Sequence, residues 1–114
     1  MLRIEKTIVQ KSVILQLIGE VDASNSVELD DAIQTLVQED AKSILVDGTG
    51  LEYISSAGLG VFMSYLEEFE EKQIVLVIFG LSDKVQQVFH ILGLDQLINI
   101  KETKEEALEV VYAK

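Results

Sequence analysis

Hydrophobic and polar positions alternate along the chain with two different periods, which indicate strands and helices. Leu2, Ile4 and Ile8 alternate with polar residues, so this first segment is predicted to be a half-buried edge strand. The segment 12–19 is more continuously apolar and predicts a second strand. Because Lys11 and Ser12 leave little room between these segments, we expect them to form a hairpin.

Further along the chain, predicted helices alternate with predicted strands. Apolar residues spaced three and four apart predict three helices, and strands are predicted at 43–47, ended by Gly48 and Gly50, then around 74–79 and around 96–102. A fourth helix is predicted from Thr103 to the C-terminal end. The positions predicted to be buried on the first three helices are Leu29, Ala32, Ile33, Leu36 and Val37, then Leu59, Phe62, Met63, Leu66 and Phe69, then Val85, Val88, Phe89 and Leu92.

Polar residues at the helix starts match known capping patterns. Asn25 with Glu28, and Thr103 with Glu106, have the spacing of a capping box. The third helix is predicted to begin near Ser82 and to end at Gly93.

The order of predicted elements is β-β-α-β-α-β-α-β-α, which defines the fold class. Strands alternating with helices after a hairpin predict an α/β fold with a single mixed, mostly parallel sheet. Its N-terminal hairpin strand is antiparallel, and about four helices cover it. The length of 114 residues suits one domain spanning residues 1–114.

Composition and net charge indicate which classes of binding partner and which cellular location to expect. The net charge of −11 argues against nucleic acid as a partner; it favours either contact with a basic protein surface or simple solubility. The longest apolar run, residues 74–79, is too short to span a membrane, and no secretion signal is visible. We therefore expect a cytoplasmic protein without a membrane or nucleic-acid partner.

Residue types that carry catalysis or bind metals are scarce. There is no cysteine, and His90 is the only histidine, which is a poor basis for a catalytic triad or a metal site. The sequence SSAGLG lacks the glycine before the serine that a nucleophile elbow needs. We therefore expect no catalytic residue, no metal, no cofactor and no enzyme activity.

The stretch YISSAGLGVFMSYL concentrates unusual residues at a predicted helix start. Ser55 or Ser56 can cap the helix, and one hydroxyl is then left over. Gly58 and Gly60 each cost about 1 kcal/mol relative to alanine in a helix. Close packing and access to the backbone amides are both possible reasons for them. A phosphoryl group would be tolerated at this positive end of the helix dipole.

Three sets of residues resemble the STAS domain family of the anti-sigma factor antagonist type. They are Gly19, Glu20 and Asp22 in LIGEVDASNSVEL, then Ser56, Gly58, Leu59 and Gly60 in the serine turn, then Phe89, Gly93 and Leu94. The resemblance extends from about Ile4 to Ala113. In the family motif DSxG the phosphorylated serine lies two residues before the glycine, which implies Ser56, with Ser55 as second choice. Ser55 stands where the family has aspartate.

The resemblance implies a partner switch. The unphosphorylated antagonist binds an anti-sigma factor that is also a serine kinase of the GHKL type, phosphorylation of Ser56 releases it, and a PP2C-type phosphatase resets the switch. The partner-binding residues implied are Asp22, Ser55, Ser56, Ala57, Gly58 and Leu59. We expect Asp22, Asp47 and Ser56 on one side of the domain, with Glu52 adding charge there. The alternative is a non-enzymatic STAS interaction module of another signalling or transport-associated complex, with Ser56 only a helix cap.

Overall fold

A computed structural model describes residues 1–10 and 12–112, and these form five strands, four α-helices and one short 3-10 helix. The predicted hairpin residue Lys11 and the last predicted residue of the fourth helix, Ala113, lie outside the described residues. The elements in chain order are β1 (Leu2–Val9), β2 (Ser12–Val21), α1 (Ser26–Gln38), β3 (Ser43–Ile54), α2 (Ser56–Lys72), β4 (Val75–Phe79), α3 (Asp83–Ile91), the 3-10 helix (Leu94–Gln96), β5 (Asn99–Lys101) and α4 (Lys104–Tyr112).

The strands form one mixed sheet in the order β1-β2-β3-β4-β5. β1 pairs with β2 in the antiparallel sense, and every later pair is parallel. This arrangement confirms the predicted fold class. It also brings the carboxyl ends of β2 and β3 side by side, which is where the serine turn lies.

Helices cover the two faces of the sheet unequally. Alternate residues of one strand point to opposite faces, so Leu15 of β2 joins the large core beneath α1, α2 and α3, whereas its neighbour Ile14 packs toward α4. Leu45 of β3, Val77 of β4 and Ala107 of α4 complete this smaller core. The three helices beside the serine turn therefore rest on one continuous core.

β3 is longer than predicted. The prediction that Gly48 and Gly50 end this strand is wrong, because β3 continues to Ile54 by pairing with β2. Two shifts of register accommodate the extra length, between Gln16 and Ile18 and again at Gly19. The serine turn consequently follows a part of β3 that extends beyond its pairing with β4 and remains paired with β2.

Some predicted buried positions are also wrong. Met63 of α2 is 50% exposed, and Tyr65 occupies the core in its place. The Tyr65 hydroxyl donates to the carboxylate of Asp30 on α1, so a ring can be buried here while its polar atom stays bonded. Burial and the bond to Asp30 raise the pKa of Tyr65 above its usual value. Leu92 and Ile8 are exposed as well, Leu92 because α3 ends at Ile91.

One predicted capping box forms and the other does not. At α4 the Glu106 amide donates to Thr103 Oγ1 at 3.1 Å, and the Thr103 amide donates to Glu106 Oε1 at 3.2 Å. At α1 the buried side chain of Asn25 makes no capping bond. Its amide group instead donates to the Glu20 carbonyl at 3.0 Å, and its oxygen accepts from the Asp22 amide at 2.9 Å. The side chain thereby closes the loop between β2 and α1.

Candidate functional site

The candidate site is assembled where β2 and β3 end together. Val21 pairs with Ile54 as the last residue pair of the two strands. The Ser55 amide then donates to the Val21 carbonyl at 2.8 Å, which holds the start of α2 against the end of β2. Asp22, the next residue after Val21, is therefore brought close to the serine turn, as predicted.

The two serines have separate roles at the start of α2. Ser55 is the N-cap residue, with extended backbone, and its hydroxyl oxygen accepts from the Gly58 amide at 3.4 Å. Ser56 is exposed, and its hydroxyl has no hydrogen-bond partner within residues 1–10 and 12–112. The capping requirement of the helix is met without Ser56, so this hydroxyl is available for chemistry.

The two glycines of this turn also differ. A methyl group at Gly58 would lie 2.6 Å from Val21 Cγ1 and 2.7 Å from Ile54 Cγ1, so close packing explains this glycine. A methyl group at Gly60 would meet nothing within 4 Å. Close packing therefore accounts for Gly58, whereas Gly60 has open space around it and is not explained by packing.

The exposed face of α2 continues beyond the serine. Ser56, Gly60 and Met63 are spaced i, i+4 and i+7, which places them on one side of the helix. Leu59 points the other way, is only 2% exposed and belongs to the core, while Ala57 is half-buried. Met63 was missed as a surface residue because its spacing also fits the buried face.

The loop after β2 presents an ionised carboxylate beside this face. Asp22 Oδ1 accepts from the Ser24 hydroxyl at 2.6 Å and from the Ser24 amide at 2.9 Å. The bond from the Ser24 side chain is the main cause that lowers the pKa of Asp22, and the Ser24 amide adds to it. Asp22 therefore carries its negative charge throughout the neutral pH range.

Asp47 does not join this site, contrary to expectation. It precedes Ile54 by about seven residues of the extended strand β3, which corresponds to about 23 Å. Its carboxylate accepts from the Thr49 amide and hydroxyl at 2.9 and 2.7 Å. Glu52, in contrast, lies on the terminal part of β3 and is exposed there. Of the three predicted acidic residues, Asp22 and Glu52 therefore lie at the ends of β2 and β3, whereas Asp47 does not.

The described part of the chain contains neither a metal-binding cluster nor a membrane-spanning helix. No group of three or more His, Asp or Glu side chains is arranged to hold a metal ion within residues 1–10 and 12–112. Among the same residues, none of the helices has the length and apolar character needed to traverse a bilayer. His90 is exposed on α3 and contacts Asp95 through Nδ1 at 2.7 Å.

Comparison with known proteins agrees with this geometry. The STAS domain family matches residues 3–107. The anti-sigma-B factor antagonist of Listeria monocytogenes is 34% identical over 88 residues, which cover 77% of each chain. An anti-sigma factor antagonist from Mycobacterium paratuberculosis has the same fold, with a TM-score of 0.90 at 20% identity over 97% of this chain and 94% of that one.

A second solved structure is similar over its whole length. The phosphorylated form of the Bacillus cell fate determinant SpoIIAA has a TM-score of 0.71 at 23% identity, covering 97% of this chain and 99% of that one. The family match spans nearly all of the described residues, including both strand ends and the serine turn. The chain therefore belongs to the STAS domain family.

Proposed function

We propose that this protein is an anti-sigma factor antagonist that works as a phosphorylation-controlled partner switch, with residues 1–114 acting as one STAS domain. The similarity to the Listeria antagonist supports the role. The existence of SpoIIAA in a phosphorylated form supports the chemistry. The partner is an anti-sigma factor that is also a GHKL-type serine kinase, and binding it frees a sigma factor for transcription in the cytoplasm.

The observation that carries the proposal is that Ser55 caps α2, whereas the neighbouring Ser56 is exposed and its hydroxyl makes no hydrogen bond within the described residues. In the kinase, Ser56 Oγ attacks the γ-phosphorus of ATP. A new O–P bond forms, the bond to the β-phosphate oxygen breaks, ADP leaves, and the serine proton passes to a base of the kinase. A PP2C-type phosphatase hydrolyses the new bond and restores the hydroxyl.

Phosphorylation changes the surface without requiring the domain to unfold. It adds about −1.5 to −2 charge at the first turn of α2, where the helix dipole tolerates an anion. The same charge is added close to the ionised Asp22, in a region that must lose water when a partner docks. Binding is therefore lost through repulsion, bulk and desolvation at the contact, whereas the core beneath stays intact.

We assign the partner surface to Asp22, Ser55, Ser56 and Ala57, with Gly58 and Leu59 directly behind it. Gly58 and Leu59 set how α2 rests on the sheet, since both are buried. Met63 and Gly60 extend this surface along α2. In the alternative function, a passive STAS interaction module, the same surface holds a partner while Ser56 is never modified.

The test begins with isolation of the binding partner by pull-down with the unphosphorylated protein. Incubation with that partner and ATP, followed by mass spectrometry, should locate one phosphoryl group on Ser56. Ser56→Ala should abolish the modification and still bind, whereas Ser56→Asp should weaken binding. Ser64→Ala is the matched control, because Ser64 is an exposed serine on the same helix.

Two results would contradict the proposal. Modification confined to Ser55 or to another residue would remove Ser56 from the switch. A partner without kinase activity, bound equally well by wild type and Ser56→Asp, would favour the passive module. Thermal melting distinguishes an effect of surface charge from an unfolding of the domain. We expect the phosphorylated and the unphosphorylated protein both to unfold cooperatively; loss of the cooperative transition after phosphorylation would contradict the surface mechanism.

A further inference from the structure

A second surface lies at the opposite end of α2 from Ser56. Phe69 follows Ser56 by about thirteen helical residues, which places it about 20 Å away along the helix axis. Here an open groove of about 620 Å³ runs between the C-terminal half of α2, the start of β4 and the segment that enters β5. We call it the α2–β5 groove. The lining residues used below are Leu66, Phe69, Glu70, Leu76, Leu97 and Ile98.

Exposed apolar side chains are concentrated in one wall of this groove and in the chain leading to it. Leu97 lines the groove and is 64% exposed. Ile91, the last residue of α3, and Leu92, which follows it, are 71% and 55% exposed. Three large apolar side chains are thus exposed within seven positions of the chain, and one of them, Leu97, lies in the groove itself. The buried residues Phe69 and Ile98 form the apolar floor between them.

The α2 side of the groove is negatively charged, whereas one exposed cation, Lys42, lies at the β4 side, where its carbonyl accepts from the Val75 amide at 3.0 Å. Glu70 lines the groove, and Glu67 and Glu71 are exposed on the neighbouring turns of α2. The nearby cation Lys72 is bonded to Glu68 at 2.7 Å, which offsets its charge. The C-terminal end of α2, at Gln73, adds the partial negative charge of the helix dipole. The groove thus combines apolar anchoring points with negative charge along its α2 side.

We propose that the α2–β5 groove binds an amphipathic helix of a partner protein, with leucine-like anchors on one face and lysine or arginine beside them. Apolar anchors would fill the floor at Phe69, and the basic residues would meet Glu70 and the end of α2. An added β-strand fits less well, because β5 has only three residues, Asn99–Lys101, and offers a short edge. The domain would then join two proteins, one at each end of α2.

The test uses two synthetic 18-residue helical peptides with the same leucine pattern, one with lysine and one with glutamate on the polar face. Each is titrated into the full-length ¹⁵N-labelled protein, and amide shifts are followed by NMR. The lysine peptide should shift residues 66–76 and 91–99. Leu97→Ser should weaken its binding about tenfold, as expected for an anchor contact. Val27→Ser is the matched control, an exposed valine on α1, and should bind like wild type.

Each outcome decides the proposal. Shifts confined to the groove and lost in Leu97→Ser support it. Shifts spread over every acidic surface, equal binding of the glutamate peptide, or unchanged affinity in Leu97→Ser would overturn it. Because Leu97 is exposed and far from Ser56, Leu97→Ser should leave folding and Ser56 phosphorylation unchanged, so this test is independent of the partner switch.

Discussion

The buried and exposed sides of the first two turns of α2 are subject to different constraints. On the buried side, Leu59 belongs to the core, and Gly58 lies against Val21 and Ile54, where the space is too small for one extra methyl group. On the exposed side, Ser56 faces water, and a methyl group at Gly60 would meet nothing within 4 Å. Packing inside the domain thus restricts which residues fit on the buried side of α2, whereas it places no such restriction on the exposed side.

Gly58 and Gly60 both lower the helix propensity of α2, but packing within the domain offsets this cost only at Gly58. Each glycine loses about 1 kcal/mol of helix propensity relative to alanine. At Gly58 that loss is offset by close contact between α2 and the sheet. At Gly60 no internal contact within 4 Å offsets it, so packing inside the described part of the chain does not explain the absence of a side chain there.

The substitution with the largest expected effect is Gly58→Val. It places three carbon atoms where even one would lie 2.6 Å from Val21 Cγ1 and 2.7 Å from Ile54 Cγ1. Both neighbours are buried and branched at Cβ, so they have little freedom to move. We expect the free energy of unfolding to fall by about 3 kcal/mol. Urea unfolding measures this; a loss below about 0.5 kcal/mol would mean that α2 is not packed as described.

The sequence predicts the elements well where the determining contacts are local. Thr103 and Glu106 bond as their spacing indicates, because both ends of the capping box lie in one helical turn. Asn25 and Glu28 have the same spacing and do not. The Asn25 amide group reaches back to Glu20 at the end of β2, and this contact depends on where the strand ends.

The same division applies to the candidate site. A helix start with a spare hydroxyl is visible in a short stretch of sequence, but these residues leave open which serine is the cap, and only the resemblance to the family motif points to Ser56. The separate roles of Gly58 and Gly60 were not visible there, because they depend on Val21 and Ile54, which come from two different strands. Asp47 was misplaced for a related reason: pairing with β2 carries β3 past two glycines that locally predict its end.

A smaller effect is expected from Ser55→Ala, which separates the capping serine from the exposed one. The variant removes the acceptor of the Gly58 amide, so unfolding free energy should fall by about 1 kcal/mol. Ser55→Asp should restore the cap. Ser56→Ala is the control, because its hydroxyl makes no bond within the described residues, and it should change stability by less than about 0.5 kcal/mol. Equal losses in Ser55→Ala and Ser56→Ala would show that capping is shared between them.

The smallest effect on stability, and the sharpest for function, is expected from Gly60→Ala. The methyl group meets nothing within 4 Å, so the variant should be more stable by about 0.5 kcal/mol through a less flexible unfolded chain. If Gly60 keeps the way open for the partner that docks at Ser56, the same variant should bind that partner more weakly. Chemical unfolding and a binding titration measure the two quantities. Gln86→Ala, at an exposed position of α3, is the control for a helix substitution away from the site. A Gly60→Ala protein that is more stable and binds normally would leave this glycine without a functional reason.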